Sequence, residues 1–446
     1  MPRLPRLALG SIQRDADTRP VAWALMELLT RRGCQVQHFV GRSCLVPLEG
    51  AIASTGLGTR HLDSWLTSPE VCRELLVHGL GDSELALVEG EYDICFPDGP
   101  RGGSLDTLCR WLDLPRVAVV DVAALDACRL PTRPAVDALL LDRIENPAEA
   151  SRWQTTLETL WGVPVLGWLG SLGELRAELD AAAMDGGPSR EACRALGEAL
   201  EKNCQLGAIL RLAERSEFPE VSSVMFPPQA APLPLTVAVA YDEAFHCYFP
   251  DAFDLLELAG VSLVDFSPLH DEALPAGVDV VYLGCGDPQL WAEELAENQC
   301  LMQALRNHVC GGRRIYADGG GLAYLCQSLE TADGQVLPMV GALPARARAN
   351  PARRPPLPLE LSLGRHTWLA EEGASLRGYL SSTWLLEPTG PLAGCFAQPE
   401  HAFDLVAAKG VLGSRMQINF AMQPGFLPRF ISPLIEPPRA VRIGLC

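Results

Sequence analysis

Short apolar runs alternate with amphipathic stretches along most of this chain, which is the pattern of an α/β fold. The chain begins with a predicted strand at 6–9, a polar loop, a predicted helix at 21–32 and a second strand at 35–40. Later runs predict a helix at 148–160 and strands at 85–90, 116–121, 138–142 and 162–169. The first half is therefore predicted to form a parallel sheet covered by helices.

The pattern changes after residue 170. Residues 171–212 carry Ala, Glu, Leu and Arg at helical spacing with a Gly-Gly-Pro break at 186–188, which predicts two helices. Residues 218–235 contain five prolines, so they can continue neither a helix nor a central strand. We place a linker there, between predicted domains at 1–217 and 236–446. A Pro- and Arg-rich stretch at 344–358 predicts an exposed loop.

Composition narrows the class of protein. The 446 residues are 48% hydrophobic and 20% charged, as expected for globular domains. A net charge of −19 without a basic run argues against nucleic acid or an anionic membrane as partner. The 15 cysteines form neither a Cys-x-x-Cys pair nor a Cys/His cluster. With no signal peptide and no long apolar run, we expect reduced thiols, no metal site and a cytoplasmic location.

A candidate for chemistry lies at 313–329. An apolar strand (315–317) runs into three glycines (319–321) and then into an apolar helix start. This is the layout of a nucleophile elbow, which holds one side chain up at a strand-to-helix turn. By spacing, the apex of this elbow is Gly319.

The chain from Val237 to Leu329 resembles the C-terminal half of the cobyrinic acid a,c-diamide synthases. The matching segments occur in family order at 238–245, 248–251, 265–275, 282–288 and 292–298. The resemblance implies an ATP- and glutamine-dependent amidotransferase of tetrapyrrole and corrinoid biosynthesis. It also implies an α/β fold of two domains, the first like P-loop NTPases and dethiobiotin synthetase, the second like class I glutamine amidotransferases.

The glutaminase side chains of that family are missing here. Glutamine hydrolysis requires a thiolate at the apex, where this chain has Gly319. Gln417 and Asn419 stand where the resembled family has histidines, and neither can act as a general base. At the other two matching positions the chain has Leu380 and Ser382, which do not ionise near neutral pH.

The phosphate-binding loop is equally altered. The family's P-loop uses glycines, a Lys and a Ser/Thr to hold phosphates and Mg²⁺. Asp15 and Asp17 occupy the glycine positions, Thr18 the Lys position and Arg19 the Ser/Thr position. Two added carboxylates would repel a triphosphate. Glu89, which ends a buried strand, keeps the carboxylate that helps to bind Mg²⁺ in the resembled enzymes; the alternative is a carboxylate satisfied within the protein.

Other positions are weaker candidates. Asp242, Glu243 and His246, or Asp15 with Asp17, contain metal-ligand types, but a lone His after a strand is more often a loop residue. By position, the candidate ligand-cleft residues are Glu89, Asp98, Asp121, Tyr241, Gly284, Gly286 and Asp318.

Two functions of different class remain open. In the first, the chain is a pseudoenzyme that binds a tetrapyrrole-type ligand or a partner enzyme subunit, with no cofactor and with a homodimer left open. In the second, it amidates a tetrapyrrole carboxylate with glutamine or free ammonia, which requires ATP and Mg²⁺. The missing glutaminase is compatible with the second function, whereas the missing P-loop is difficult to reconcile with it.

Overall fold

A computed structural model describes residues 4–432, except 15, 46–48, 97, 100, 126–129, 131, 183–186, 216–217, 219–220, 222, 227–229, 353 and 424. The chain divides into two compact units. The first unit is Met1–Pro227 with Phe249–Asp251, and the second is Pro228–Tyr248 with Ala252–Cys446. The division falls inside the stretch where a linker was predicted.

The first unit contains a seven-stranded sheet in which every pairing is parallel. Its strands are β1 (Arg6–Ser11), β2 (Val36–Val40), β3 (Arg60–His61), β4 (Leu85–Glu91), β5 (Arg116–Asp121), β6 (Ala138–Ile144) and β7 (Val165–Gly170). They are ordered β3-β2-β4-β1-β5-β6-β7. Because the strands are all parallel, their carboxyl ends lie at one edge of the sheet, where ligands of such folds bind.

Helices cover this sheet, and several of them begin at a residue whose side chain caps the helix. They are α1 (Arg19–Arg31), α2 (Glu49–Thr55), α3 (Pro69–Leu80), α4 (Leu105–Leu112), α5 (Pro147–Trp161), α6 (Gly173–Ala182), α7 (Arg190–Glu201) and α8 (Leu206–Ala213). The Ser68 hydroxyl accepts a hydrogen bond from Val71 N at the start of α3, and Asn146 does the same for Glu149 N at the start of α5. Helix α5 ends at Gly162, which adopts a φ of 64°. Short 3₁₀ helices lie at Asp93–Cys95 and Val122–Ala124.

The prediction of two helices at 171–212 was wrong, because three form there. The second and third, α7 and α8, are separated at Cys204, which pairs with Gly167 of β7 in an antiparallel bridge. Gln205 N then donates to Leu166 O, which fixes the chain against the sheet edge before α8 begins. Tertiary pairing therefore interrupts a run whose helical spacing is continuous.

The second unit has a sheet of the same size, ordered β18-β19-β20-β11-β10-β8-β9. Its strands are β8 (Thr236–Ala240), β9 (Ser262–Phe266), β10 (Val280–Leu283), β11 (Arg314–Asp318), β18 (Ala393–Gly394), β19 (Leu405–Ala408) and β20 (Val411–Ser414). The pairings from β9 to β20 are parallel, and β19 is antiparallel to both of its neighbours. The helices of this unit are α10 (Ala292–Glu297), α11 (Gln299–Cys310), α12 (Gly320–Leu325), α13 (Phe426–Phe430) and, from Ala252 onward, α9 (Pro250–Leu258).

Two small sheets complete the second unit, with 3₁₀ helices at Pro399–Asp404 and Phe420–Met422. One sheet contains β12 (Ser328–Glu330), β13 (Val336–Pro338), β14 (Ala345–Ala349) and β17 (Trp384–Pro388), and the other β15 (Leu357–Ser362), β16 (Ser375–Leu380) and β21 (Met416–Gln417). The predicted exposed loop at 344–358 is therefore wrong in part. Strand β14 lies between β12 and β17, and its alanines at 345, 347 and 349 are buried while its arginines point outward.

The predicted α/β class is confirmed in both units: the sheet of the first unit is parallel, and the main sheet of the second is parallel from β9 to β20. Residues 223–226, near the end of the first segment of the first unit, are hydrogen-bonded to helix α3. The carboxylate of Glu74, on α3, accepts hydrogen bonds from Ser223 Oγ and from the backbone N–H groups of 224–226. None of the helices in the described part of the chain has the length and apolarity that crossing a bilayer requires.

Candidate functional site

A cavity of about 320 Å³ opens at the carboxyl ends of β2 and β4 in the first unit. It is bounded on one side by the start of α1 and on the other by the loop before α4. Its lining consists of Thr18, Arg19, Val40, Gly41, Arg42, Cys44, Glu89, Gly90, Glu91, Gly103 and Leu105. This volume is at the lower end of the range for small-molecule sites. Of the predicted residues, Thr18, Arg19 and Glu89 come together here.

A chain of hydrogen bonds runs through the wall of this cavity. Thr18 Oγ1 lies 2.8 Å from Glu89 Oε1, and His38 Nε2 lies 3.1 Å from Glu89 Oε2. His38 is fully buried, and its Nδ1 lies 3.0 Å from Thr59 Oγ1. Because a carboxylate only accepts, Thr18 Oγ1 and His38 Nε2 are both donors to Glu89, and in a neutral imidazole Nδ1 then accepts from Thr59. The strand-end carboxylate is thus satisfied within the protein.

The arginines at the cavity are also engaged by nearby groups. Arg19 forms a two-pronged pair with Asp17, with Nε–Oδ1 at 2.8 Å and Nη2–Oδ2 at 3.0 Å. Arg42 Nη1 lies 3.7 Å from Glu91 Oε2, and Arg42 Nε donates to Gly103 O at 3.2 Å. Asp17 therefore neutralises Arg19 at the start of α1, the place where a P-loop holds phosphate. Asp15 lies outside the described residues.

These residues do not fit magnesium-bound ATP in the manner of a P-loop. The carboxylate of Glu89 already accepts from Thr18 and His38. Arg19 is paired with Asp17, and no Lys stands in the loop to reach a phosphate. What remains is a small cavity with a buried carboxylate in its wall and arginine–carboxylate pairs around it.

The elbow of the second unit, residues 318–321, has the backbone of a strained strand-to-helix turn. Gly319 adopts φ 45° and ψ −102° between β11 and α12, a conformation that side chains other than Gly rarely adopt. Gly319 N donates to Ser414 O at 2.9 Å, and Gly321 N donates to Gly284 O at 3.0 Å. A Cβ on Gly320 would lie 2.8 Å from Pro288 Cδ, and one on Gly321 would collide with Leu283 O. These glycines let the start of α12 pack directly on the end of β10.

A cysteine that sequence analysis missed fills the space beside the apex. A Cβ built on Gly319 would lie 2.9 Å from Cys285 Sγ, closer than Cβ atoms approach other atoms in proteins. Cys285 is buried, and its thiol is hydrogen-bonded to the side chain of Gln417. Burial raises the pKa of the Cys285 thiol well above its usual value, and the nearby Asp318 and Cys247 raise it further. The thiol is therefore mostly protonated, which slows any reaction in which it is the nucleophile.

Among the positions that match the family's other catalytic residues, Gln417 is hydrogen-bonded to the Cys285 thiol. Asn419 Oδ1 accepts from Ala421 N at 3.0 Å and so caps the 3₁₀ helix at Phe420–Met422. Ser382 Oγ accepts from Arg354 N and donates to Arg354 O, which ties down a loop. Leu380 pairs with Met416 between β16 and β21. Each of these residues has a local structural role.

Asp318 does not face an open cleft, contrary to its place among the candidate cleft residues. Its side chain has no solvent exposure and accepts hydrogen bonds from the hydroxyls of Tyr316 at 2.6 Å and Tyr282 at 3.0 Å. Burial raises its carboxyl pKa to about 7, although the two hydroxyls act in the opposite direction. Asp318 is a buried acid beneath the elbow, surrounded by aromatic rings.

The other candidate cleft residues are dispersed. Asp98 is exposed and does not line the cavity. Asp121 accepts from Ala123 N and pairs with Arg143. Tyr241 is 55% exposed. Gly284 and Gly286 lie at the end of β10, where a Cβ would collide with Tyr248 and with Ala244 O, respectively.

Asp242 is committed to its own loop. Its carboxylate accepts from the backbone N–H groups of Ala244, Phe245 and Leu269 and from Ser267 Oγ. It therefore organises the turn after β8 and does not present its oxygens outward together with Glu243 and His246.

Sequence analysis also missed His38 and Thr59, the inner members of the chain that ends at Glu89. One signal was available, since His38 is a single ionisable residue within an apolar strand, two residues before its carboxyl end. Cys285 lies within 282–288, one of the segments that match the family, between two glycines that were predicted to line a ligand cleft. Only the geometry shows that its sulfur lies beside Gly319.

Comparison with known proteins places these sites in context. Residues 236–379 match the model of the CobB/CobQ-like glutamine amidotransferase domain. The chain is similar to the cobyrinate a,c-diamide synthase of Syntrophotalea carbinolica, with 32% identity over 87% of this chain and 88% of that protein. It is 29% identical to the hydrogenobyrinate a,c-diamide synthase of Streptomyces coelicolor, over 96% of this chain and 97% of that protein. A solved structure of a glutamine amidotransferase aligns with 43% of this chain and 97% of its own, at 16% identity and a TM-score of 0.34.

Proposed function

The chain belongs to the cobyrinate a,c-diamide synthase family, and from that premise we propose that it is a non-catalytic member of it. In this proposal the protein binds a tetrapyrrole-type ligand or a partner enzyme and acts as a carrier, scaffold or regulator. The observation that carries the proposal is the elbow: its apex is Gly319, and the thiol of Cys285 occupies the space into which a nucleophile's side chain would project.

The first unit supports the same proposal independently. Each oxygen of Glu89 already accepts one hydrogen bond, from Thr18 and from His38, so fewer of its lone pairs are left for a magnesium ion. Asp17 neutralises Arg19 at the start of α1. Activation of a carboxylate by ATP requires phosphate and metal contacts that these pairs do not offer. The cavity itself persists, which is the feature expected of a protein that keeps binding while it has lost chemistry.

The alternative is ATP-dependent amidation of a cobyrinate-like or sirohaem-like carboxylate with glutamine or free ammonia. Two observations favour it. The chain matches most of the length of relatives that are named synthases, and the cavity at Glu89 remains open. Such an enzyme would need to bind nucleotide through contacts other than those of a P-loop. Ammonia would have to come from solution, because the elbow lacks a nucleophile.

Purification of the protein from its native host, followed by absorbance spectroscopy and mass spectrometry, tests the proposal. We expect either the visible bands of a bound tetrapyrrole or a second polypeptide in fixed proportion. Titration with cobyrinate then gives a saturable spectral change in the first case and none in the second. Purification without either companion, combined with no cobyrinate binding, would contradict the proposal.

A further inference from the structure

Cys247 and Cys285 lie directly opposite each other in the second unit, in an isolated antiparallel bridge. Cys247 N donates to Cys285 O at 3.1 Å, and Cys285 N donates to Cys247 O at 3.2 Å. Both are thiols, Cys247 partly exposed and Cys285 buried. Residues that exchange both hydrogen bonds in this way have Cα atoms about 5.5 Å apart and side chains on the same face. The two cysteines therefore share one face beside the elbow.

We propose that Cys247 and Cys285 form a reversible disulfide in which the elbow thiol is the buried partner. Disulfides span Cα separations of about 4.4–6.8 Å, a range that includes the separation of such a pair. Opposed Cβ atoms lie about 4.5–5.5 Å apart, and a disulfide needs about 3.5–4.5 Å. The bond therefore requires a small local approach of the two short segments and no rearrangement of the sheet.

The oxidant in this reaction is a low-molecular-weight disulfide. The Cys247 thiolate attacks one sulfur of that disulfide and releases the first small thiolate, which takes up a proton. Cys285 then loses its proton and attacks Cys247 Sγ, which releases the second small thiol. Two electrons pass from the two cysteines to the reagent. Cys247 reacts first because it is partly exposed, whereas Cys285 is buried.

The bond would change the elbow. In the reduced protein, Cys285 Sγ contacts Gln417 and the space in front of Gly319. Bonding to Cys247 draws this sulfur toward the opposite segment, so Gln417 loses its thiol partner and the space at Gly319 opens. The disulfide thus couples the redox state of the protein to the shape of its elbow, independently of whether the protein is an enzyme.

The test is to equilibrate the folded full-length protein with oxidised glutathione, block the remaining thiols and map the peptides by mass spectrometry. We expect a cross-linked pair of peptides containing Cys247 and Cys285, with the loss of two hydrogen atoms, and recovery of both thiols with reduced glutathione. Cys247→Ser abolishes the cross-link in this account, whereas Cys326→Ser, at another buried cysteine of the same unit, leaves it unchanged.

Two outcomes would overturn the inference. One is glutathione that stays attached to Cys247 without passing on to Cys285. The other is two unmodified thiols at these positions while the exposed Cys300 and Cys310 react. Because the mapping uses the wild-type protein, the result does not depend on whether either variant folds.

Discussion

The cavity at Glu89 and the elbow at Gly319 differ in the space that their side chains leave open. At the cavity, Thr18 and His38 donate to the remaining carboxylate, and about 320 Å³ of space stays open. At the elbow, the residue at the apex is a glycine, and Cys285 Sγ lies in the adjoining space. The hydrogen bonds to Glu89 leave the cavity open to a ligand, whereas Cys285 Sγ fills the space at the elbow. We therefore expect binding to have survived at the first place and not at the second.

The buried carboxyl of Asp318 should make the free energy of unfolding depend on pH, and this is the largest effect we expect. Below about pH 4, Asp318 is protonated in the folded and unfolded states alike. As the pH rises from about 4 to about 7, only the unfolded state ionises, so the free energy of unfolding falls by on the order of 4 kcal/mol and then levels off. Asp318→Asn should remove this slope, as measured by urea titrations at pH 5 and pH 8.

Other carboxyls with raised pKa, such as Asp142, contribute a slope to both proteins, so the quantity to compare is the difference between wild type and variant. Tyr316→Phe is a second test, because loss of a hydrogen-bond donor raises the pKa of Asp318 further and so enlarges the fall in the free energy of unfolding between pH 5 and pH 8. A difference between wild type and Asp318→Asn that is the same at both pH values would show that Asp318 titrates as an ordinary carboxyl.

The segment at Gly286, which packs against the elbow, should not tolerate an added methyl group, whereas the cavity should. A Cβ on Gly286 would collide with the backbone oxygen of Ala244, which cannot move away like a side chain. We expect Gly286→Ala to lower the free energy of unfolding by about 3 kcal/mol. Gly90→Ala, at the cavity, would place its Cβ 3.5 Å from Leu105, an ordinary contact, and should cost less than about 1 kcal/mol. Equal losses in thermal or urea unfolding would refute this contrast in packing.

The carboxylate of the cavity should behave as a structural group. Glu89→Gln keeps one acceptor for Thr18 or His38 and loses the charge, so we expect a loss of about 1 kcal/mol in the free energy of unfolding. Glu91→Gln, at the rim, is the matched control and should change little. Addition of ATP with Mg²⁺ should leave the melting temperature of all three proteins unchanged. Stabilisation of wild type but not of Glu89→Gln would instead identify Glu89 as a metal ligand.

Restoring the nucleophile alone should restore no glutaminase activity. The Cβ of Gly319→Cys would meet Cys285 Sγ at 2.9 Å, and its thiol would face Gln417 in place of an imidazole. An unassisted thiol with a pKa of about 8.5 is only slightly ionised at neutral pH, and general-base help worth about 10²–10⁴-fold would be absent.

Glutamate release should rise only when Gly319→Cys is combined with Gln417→His and Cys285→Gly. Gln417→His alone is the control and should show none. Turnover by Gly319→Cys alone, at the level of an active family member, would mean that only one catalytic part is missing.

Local sequence patterns predicted the features that depend on local spacing. The strand at 116–121 agrees with β5, and the strand-to-helix turn at Gly319 agrees with the backbone found there, because the three glycines and the apolar flanks specify both. Residues 171–212 and 344–358 were predicted less well. Pairing of Cys204 with Gly167 interrupts the helical run at 171–212, and pairing of β14 with β12 and β17 orders part of 344–358. These pairings join segments that are separated in sequence.

The candidate sites show the same division. Gly319, Gln417 and Thr18 were found because a resemblance gave their positions. Cys285 and His38 were missed because their importance comes from contacts across strands, with Gly319 in one case and Glu89 in the other. The burial of Asp318 between two tyrosines could not be read from its neighbours along the chain either.

The most direct test of the central claim is the mass of cobyrinate after incubation with the purified protein, ATP and Mg²⁺, supplied with either glutamine or ammonium. An active relative, such as the synthase of Syntrophotalea carbinolica, serves as the positive control. The account predicts that cobyrinate is recovered unchanged with either nitrogen source. Conversion of its carboxylates to amides with ammonium would contradict the account at Glu89, and conversion with glutamine would contradict it at both Glu89 and Gly319.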